Sequence, residues 1–218
     1  MDSTLRDKVC ILTGATGGIG AAIARRLHAR GARLMLVDMP GTPLPALAEE
    51  LRAAWAFADV ADDVAVKTYT DQTMARFGAI DAVLANAGTE GRVAPVTQTR
   101  AEDVARLFAV NVFGPFAAIR HAAPHMKRGG SIVVTASVAS FVGSPGLAPY
   151  CASKWAVEGL SQALAQELRG STSSAALRVG SLRKLGFIGD DAANPAQFCY
   201  REPSPELHAL VGELSERY

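Results

Sequence analysis

The octapeptide TGATGGIG, Thr13 to Gly20, constrains this chain more than any other stretch. It joins an apolar run, Val9-Cys10-Ile11-Leu12, to a helix-forming run, Ala21 to Leu27, so a strand passes through a tight turn directly into a helix. Glycines at 14, 18 and 20 permit dihedrals and close approaches that a side chain forbids, which lets a pyrophosphate reach the amides at the helix N-terminus. Those unpaired N–H groups carry the positive end of the helix dipole. A Gly-rich turn alone is also compatible with a ligand-free βα connection. Here the next apolar run, Arg33-Leu34-Met35-Leu36-Val37, ends in Asp38, where a dinucleotide site needs an acceptor for ribose hydroxyls.

The same alternation continues along the chain. Strands are expected over 8–13, 33–38, 54–58, 80–85, 131–136 and 175–179, and helices over 18–30, 43–53, 62–77, 100–127 and 150–169. Repeated strand-then-helix order predicts an α/β fold, a doubly wound parallel sheet between two helical layers, because parallel neighbours need crossovers and right-handed crossovers place the helices outside. A length of 218 residues with 49% hydrophobic content suits one such domain over 1–218. Pro40, Pro43 and Pro45 mark a loop and a helix start, and Gly129-Gly130 is expected to close the long fourth helix.

A formal net charge of +1 gives no overall attraction to nucleic acid or to an anionic membrane. No apolar run is long enough to cross a bilayer and no signal segment is visible, so a cytoplasmic address is expected. Cysteines at 10, 151 and 199 are too few and too scattered for a disulfide framework or a metal site.

In a doubly wound sheet, ligands bind at the carboxyl ends of the strands. Asp59-Val60 follows the third strand and Asn86-Ala87-Gly88 the fourth. Taken singly, Asp59 reads as a helix cap and Asn86-Ala87-Gly88 as a polar turn. As a set with the Gly-rich turn they can line one cleft, Asp59 and Val60 near an adenine and the Asn-Ala-Gly backbone near a ribose. Tyr150 and Lys154 are four apart at a helix start, hence on one face about a turn apart. An ammonium there favours the phenolate, which would let Tyr150 exchange a proton with an alcohol or carbonyl oxygen. Ser137 follows the fifth strand and emerges on the same edge.

TGATGGIG, Asp59-Val60, Asn86-Ala87-Gly88, Asn111, Ser137 and Tyr150-Cys151-Ala152-Ser153-Lys154, in this order, resemble the short-chain dehydrogenase/reductase family over roughly residues 7–170. The resemblance implies a Rossmann sheet that binds NAD(H) or NADP(H) through Gly14, Thr16, Gly17, Gly18, Ile19, Gly20, Asp38, Asp59, Val60, Asn86, Ala87, Gly88, Tyr150 and Lys154. It implies hydride transfer to or from a carbonyl or hydroxyl carbon. Tyr150 would be the acid/base, and Lys154 would lower its pKa and hold the nicotinamide ribose. Ser137 would bond the reacting oxygen, and Asn111 would hold a proton-relaying water. On residue chemistry alone, Asn111 is equally a helix-interior amide bonded to backbone.

A carboxylate at Asp38 accepts from both ribose hydroxyls but repels a 2′-phosphate, and Thr16 and Gly17 lack the basic side chain that NADP-using relatives often place there, so NAD is the expected cofactor. Phe141 to Leu147 would line the substrate pocket and suit an apolar secondary alcohol or ketone, with Glu90, Gly91 and Arg92 in a solvated loop and Trp155 in the core. After about Gly170 the chain departs from the family: Leu177 to Leu185 has no Pro-Gly turn, and Pro205 to Tyr218 reads as one amphipathic helix in place of a lid and last strand. Two readings stand at this point. One is an NAD-dependent oxidoreductase. The other is an NAD(H)-binding sensor or interaction protein with little turnover. Family resemblance also implies a homodimer or homotetramer through the fourth and fifth helices.

Overall fold

The computed structural model describes residues 5–170 and 178–182. The first strand, β1 (Val9–Thr13), is buried along its whole length. Its near-continuous apolar sequence follows from that position, since a central parallel strand is covered on both faces. Helix α1 (Gly18–Ala29) leads to β2 (Arg33–Asp38), α2 (Leu44–Glu50) to β3 (Ala54–Phe57), and α3 (Asp63–Phe77) to β4 (Ile80–Ala85). The rest comprises α4 (Ala101–Phe108), α5 (Gly114–Ala122), β5 (Met126–Thr135), α6 (Ala148–Gly170) and β6 (Arg178–Leu182). All pairings are parallel, in the order β3-β2-β1-β4-β5-β6. The chain runs outward from β1 to β3 and then returns to lay β4 against the other side of β1. That reversal opens a crevice at the carboxyl ends of β1 and β4.

Period-two alternation sorts each strand's side chains between two cores. Cys10, Leu12, Leu34, Leu36, Ala82, Leu84 and Val133 join α1 and α2 in one layer. Ile11, Met35, Val37, Val83, Ala85, Ile132 and Val134 join α3, α5 and α6 in the other. Helix ends follow their local chemistry. Asp62 caps α3 by accepting from the amides of Val64 at 2.9 Å and Ala65 at 3.4 Å, and Gly78 ends it in the left-handed region at φ 72°.

The long helix expected over 100–127 is interrupted and shorter. Between α4 and α5 lies a π-helical turn, Ala109–Phe113. Pro115 has no N–H to close onto the carbonyl of Asn111, and the helix widens at that turn. Pro124 ends the helical run, and a 3-10 turn, Ala123–His125, leads straight into β5. Gly129-Gly130 therefore lies inside β5 rather than closing a helix, where the register skips from Ile80–Met126 to Ala82–Ser131. Glycines in a strand commonly mark such a break in pairing. The last strand is described over Arg178–Leu182, the first three residues of its expected span lying outside the described residues, and α6 begins at Ala148, two residues early. The helix expected over 205–218 lies outside the described residues. Among the described residues no helix is long and apolar enough to cross a membrane.

Candidate active site

A cavity of about 740 Å³ opens at the carboxyl ends of the strands, within the range of roughly 300–1,000 Å³ usual for ligand sites. Gly14, Thr16, Gly17, Gly18, Ile19 and Gly20 form one wall, with Asp38 at the end of β2 and Asp59 and Val60 after β3. Asn86, Ala87 and Gly88 from the end of β4 and Ser137, Tyr150 and Lys154 complete the set. Every site residue expected from the sequence lines this one cavity except Asn111, which is 1% exposed and lies behind it.

The Gly-rich turn is held closed by contacts that leave its mouth free. Gly14 takes φ +63°, and a Cβ there would lie 2.8 Å from the Cα of Ala87. A Cβ on Gly20 would lie 2.0 Å from the carbonyl oxygen of Gly14. Gly18 differs, because a Cβ there would meet nothing within 4 Å. Gly17, the N-cap of α1, offers no side-chain cap, so the first amides of that helix face open space.

Asn86 staples three strand ends. Its amide donates to the carbonyls of Thr13 at 3.2 Å and Gly14 at 3.1 Å, and its Oδ1 accepts from Thr135 Oγ1 at 3.1 Å. Thr13 Oγ1 in turn accepts the N–H groups of Asn86 and Ala87, both at 3.1 Å. The Asn86 side chain is thus engaged inside the protein, while its backbone borders the cavity.

The catalytic candidates sit on α6 and the end of β5. Ser137 caps a 3-10 turn, Val138–Ser140, by accepting from the N–H of Ala139 at 3.2 Å. Ser140 Oγ donates to the carbonyl of Lys154 at 3.0 Å and ties that turn to α6. Burial pushes the Tyr150 phenol above its ordinary pKa, a hydrogen bond with Ser137 pulls it down, and Glu90 and Cys151 push it up. Lys154 is 5% exposed, and burial lowers its ammonium pKa to about 8. Its Nζ donates to the backbone carbonyl of Thr135 at 2.8 Å and lies 5.8 Å from the centroid of the Tyr150 ring. Burial is the largest of these influences and Lys154, aimed at Thr135, is not among them, so the phenol's shift is upward rather than the expected lowering.

Asn111 sits in the π-helical turn. Its Oδ1 accepts from the N–H of Thr89 at 2.8 Å, and its Nδ2 donates to the carbonyl of Thr89 at 2.8 Å and to Ser153 Oγ at 3.0 Å. Ser153 Oγ donates to the carbonyl of Tyr150 at 2.8 Å. The amide thus connects the loop after β4 to the first turn of α6.

Several expectations are corrected. None of Phe141 to Leu147 lines the cavity, so that loop gives no reason for an apolar substrate; its backbone is turned toward the β4–α4 loop, with Ala94 N–H donating to the carbonyl of Gly146 at 3.0 Å. Glu90 is exposed in its loop, as expected, and also borders the cavity. Trp155 is 54% exposed on α6, tilted against Phe141 at 6.2 Å between ring centroids, rather than packed in the core. Arg33 points away from the site, with its guanidinium 4.6 Å from the centroid of the Phe77 ring.

Sequence reasoning missed Thr13, Thr89, Thr135, Ser153 and Arg106. The first three end or follow strands at the binding edge, which is a usable signal. Arg106, on α4, lines the cavity and pairs with Asp59 at 2.8 Å. Nothing in the local sequence pointed to it.

Comparisons with known proteins agree with this geometry. Residues 8–179 match the family described as short chain dehydrogenase. The chain is 40% identical over 174 residues to 2-(R)-hydroxypropyl-CoM dehydrogenase of Xanthobacter autotrophicus, covering 75% of this chain and 70% of that protein. It is 39% identical over 176 residues to D-threitol dehydrogenase of Mycolicibacterium smegmatis, covering 78% and 67%. A short-chain dehydrogenase of Burkholderia cenocepacia, solved in complex with NADP, superimposes with a TM-score of 0.76 at 33% identity over 82% of this chain and 74% of that one. The chain belongs to the short-chain dehydrogenase/reductase family of oxidoreductases, which bind a nicotinamide cofactor and act on CH–OH groups.

Proposed function

We propose that this protein interconverts a secondary alcohol and its ketone with NAD(H). The observation that carries the reading is the placement of Ser137, Tyr150 and Lys154 around the same cavity as the uncapped N-terminus of α1 and the carboxylate of Asp38. The walls suit a dinucleotide: Gly18 leaves room in front of the helix amides for a pyrophosphate, and Asp38 offers a negative acceptor for a ribose, which disfavours a 2′-phosphate. When bound, the nicotinamide supplies or accepts a hydride.

The protein's own groups handle the proton. Tyr150 gives its phenolic proton to the carbonyl oxygen in reduction and takes it back in oxidation. Its raised pKa keeps the proton in place at neutral pH. Ser137 steadies both the phenol and the substrate oxygen. Lys154, held by the Thr135 carbonyl, would present a cation to the nicotinamide ribose, and Asn111 fixes the turn that carries Tyr150. NADH and NADPH titrations by fluorescence, followed by a panel of secondary alcohols watched at the NADH absorbance, test the reading. Binding of NADH with turnover is expected, and binding of neither cofactor overturns it.

The proposal extends to a homodimer or homotetramer. Phe113 at the end of the π-helical turn, Phe116 on α5 and Trp155 on α6 are 62%, 41% and 54% exposed, apolar side chains that a partner copy would cover. Light scattering of the wild type and of F113S/W155S tests it, with a smaller species expected for the variant.

A further inference from the structure

Glu90 borders the cavity that holds the catalytic candidates, yet the chemistry proposed above gives it no task. Its charge is felt at the reacting corner, where it pushes the Tyr150 phenol upward. Among the described residues no hydrogen bond or ion pair engages its carboxylate, and the basic Arg92, two positions on, is not paired with it.

The backbone on both sides of Glu90 is fixed. Thr89 accepts from and donates to the side-chain amide of Asn111, both at 2.8 Å. The N–H of Gly91 donates to Thr89 Oγ1 at 3.1 Å, which closes a tight turn around Glu90. Gly91 takes φ +68°, where a side chain is strained, and a Cβ there would lie 2.7 Å from Leu107 Cδ1 on α4. The loop therefore lies close against α4 on one side of Glu90 and is tied to a buried amide on the other. A solvated connection needs neither anchor. A carboxylate that must meet a ligand at a set place needs both.

The chemistry of the wall says what that ligand carries. Thr89, Ser137, Tyr150 and Lys154 line the cavity with Glu90, and none of Phe141 to Leu147 reaches it. An ionised carboxylate accepts hydrogen bonds and donates none, so it selects a donor on the substrate and repels an anion. Hydroxyl and ammonium are both donors. The Lys154 cation borders the same cavity, and an oxidised nicotinamide brings a second positive charge when bound, so an ammonium is opposed where a hydroxyl is not.

We propose that Glu90 is a specificity-determining residue that accepts a hydrogen bond from a second hydroxyl of the substrate, so that the preferred substrate is a neutral diol or polyol rather than a simple secondary alcohol or a hydroxy acid. The inference rests on the dehydrogenase reading of the site and deepens it by naming the substrate class.

The experiment measures initial rates of cofactor reduction by the full chain, Glu90→Ala and Glu90→Gln on sec-butanol, 1,3-butanediol, 4-amino-2-butanol and β-hydroxybutyrate. These share the reacting carbon and its methyl group and differ only at the far end. The readout is kcat/KM for the diol divided by that for sec-butanol within each protein. That ratio cancels any loss of folded protein and any effect of Glu90 on Tyr150, since both act on the two substrates alike. The wild type is expected to favour the diol by about tenfold, the worth of one charge-assisted hydrogen bond, and Glu90→Ala to bring the ratio to within about threefold of unity. Glu90→Gln keeps an acceptor without the charge; its ratio is expected to fall between the two, and its use of β-hydroxybutyrate relative to sec-butanol to rise. A wild type that does not favour the diol, or a diol preference that survives in Glu90→Ala, overturns the role of Glu90 and leaves the dehydrogenase reading standing. A preference for the amino alcohol that collapses in Glu90→Ala overturns the choice of a hydroxyl. Absence of turnover by the wild type on these four and on the wider range of secondary alcohols, with NAD and with NADP, overturns the dehydrogenase reading itself.

Discussion

Lys154 donates to the carbonyl of Thr135 at 2.8 Å and not to the hydroxyl of Tyr150, four residues earlier on the same helix. The ammonium is 5% exposed and its pKa falls from 10.5 to about 8, which means that the folded protein disfavours the charge proposed to hold the nicotinamide ribose. Because the folded pKa lies below the unfolded one, the unfolded chain binds more protons between about pH 8 and 10.5, and stability rises with pH across that window. Lys154→Met is expected to stabilise the protein without added cofactor by about 1–3 kcal/mol at pH 7, with the advantage shrinking toward pH 10. Urea denaturation at the two pH values checks both the sign and the slope.

Tyr150→Phe deletes only the titrating oxygen. Turnover is expected to fall by about 10²–10⁴-fold while NADH binding stays near wild type. Single-turnover kinetics beside a fluorescence titration separate the two effects, and near-normal turnover would remove Tyr150 from the assigned role.

Gly18 and Gly20 make a matched pair of tests. Gly18→Ala has open space and sits at the start of a helix, so it is expected to raise stability by about 0.5–1 kcal/mol while weakening cofactor binding by blocking the approach to the amides. Gly20→Ala places a Cβ 2.0 Å from a backbone carbonyl, and is expected to lower stability and abolish binding together. Thermal melts and titrations on both variants would distinguish a cradle from a packing contact.

Asn111→Ala leaves both polar groups of the Thr89 backbone and the Ser153 hydroxyl without their partner. The expected loss is about 2–4 kcal/mol, read by chemical denaturation. Asn111→Asp keeps an acceptor for the Thr89 N–H but replaces the donor with a charge facing the Thr89 carbonyl, and is expected to be no better than Ala.

The sheet and most of the site were legible because their causes are local. Glycine, aspartate and apolar periodicity each report on the residues beside them, and the βα alternation placed Gly14, Asp38, Asn86, Ser137 and Tyr150 at one edge. What escaped was set by contacts distant in sequence or by the balance of two local effects. Gly129-Gly130 has the look of a helix stop, yet Pro124 had already ended the helix, and the pairing of Ile80 with Met126 extends the strand back through both glycines. Arg106 reaches Asp59 across 47 positions of sequence, and no periodicity encodes that meeting. Trp155 lies next to a buried lysine but about 100° further around the helix, so its neighbour's burial said nothing about its own exposure. The direction of the Tyr150 shift depended on how deeply the phenol is desolvated, a property of the assembled cavity.

The central position of β1 carries a cost during synthesis. The strand emerges early, pairs with β2 along one edge, and must wait for β4 to cover the other. At about 5–20 residues per second, the stretch between Asp38 and Ala85 takes the ribosome several seconds to produce. Throughout that interval Val-Cys-Ile-Leu presents an unpaired, apolar edge of the kind that recruits other strands. Substitutions that slow the arrival of β4 should therefore show first as lost yield and chaperone occupancy in the cell, even where the purified protein melts at its usual temperature.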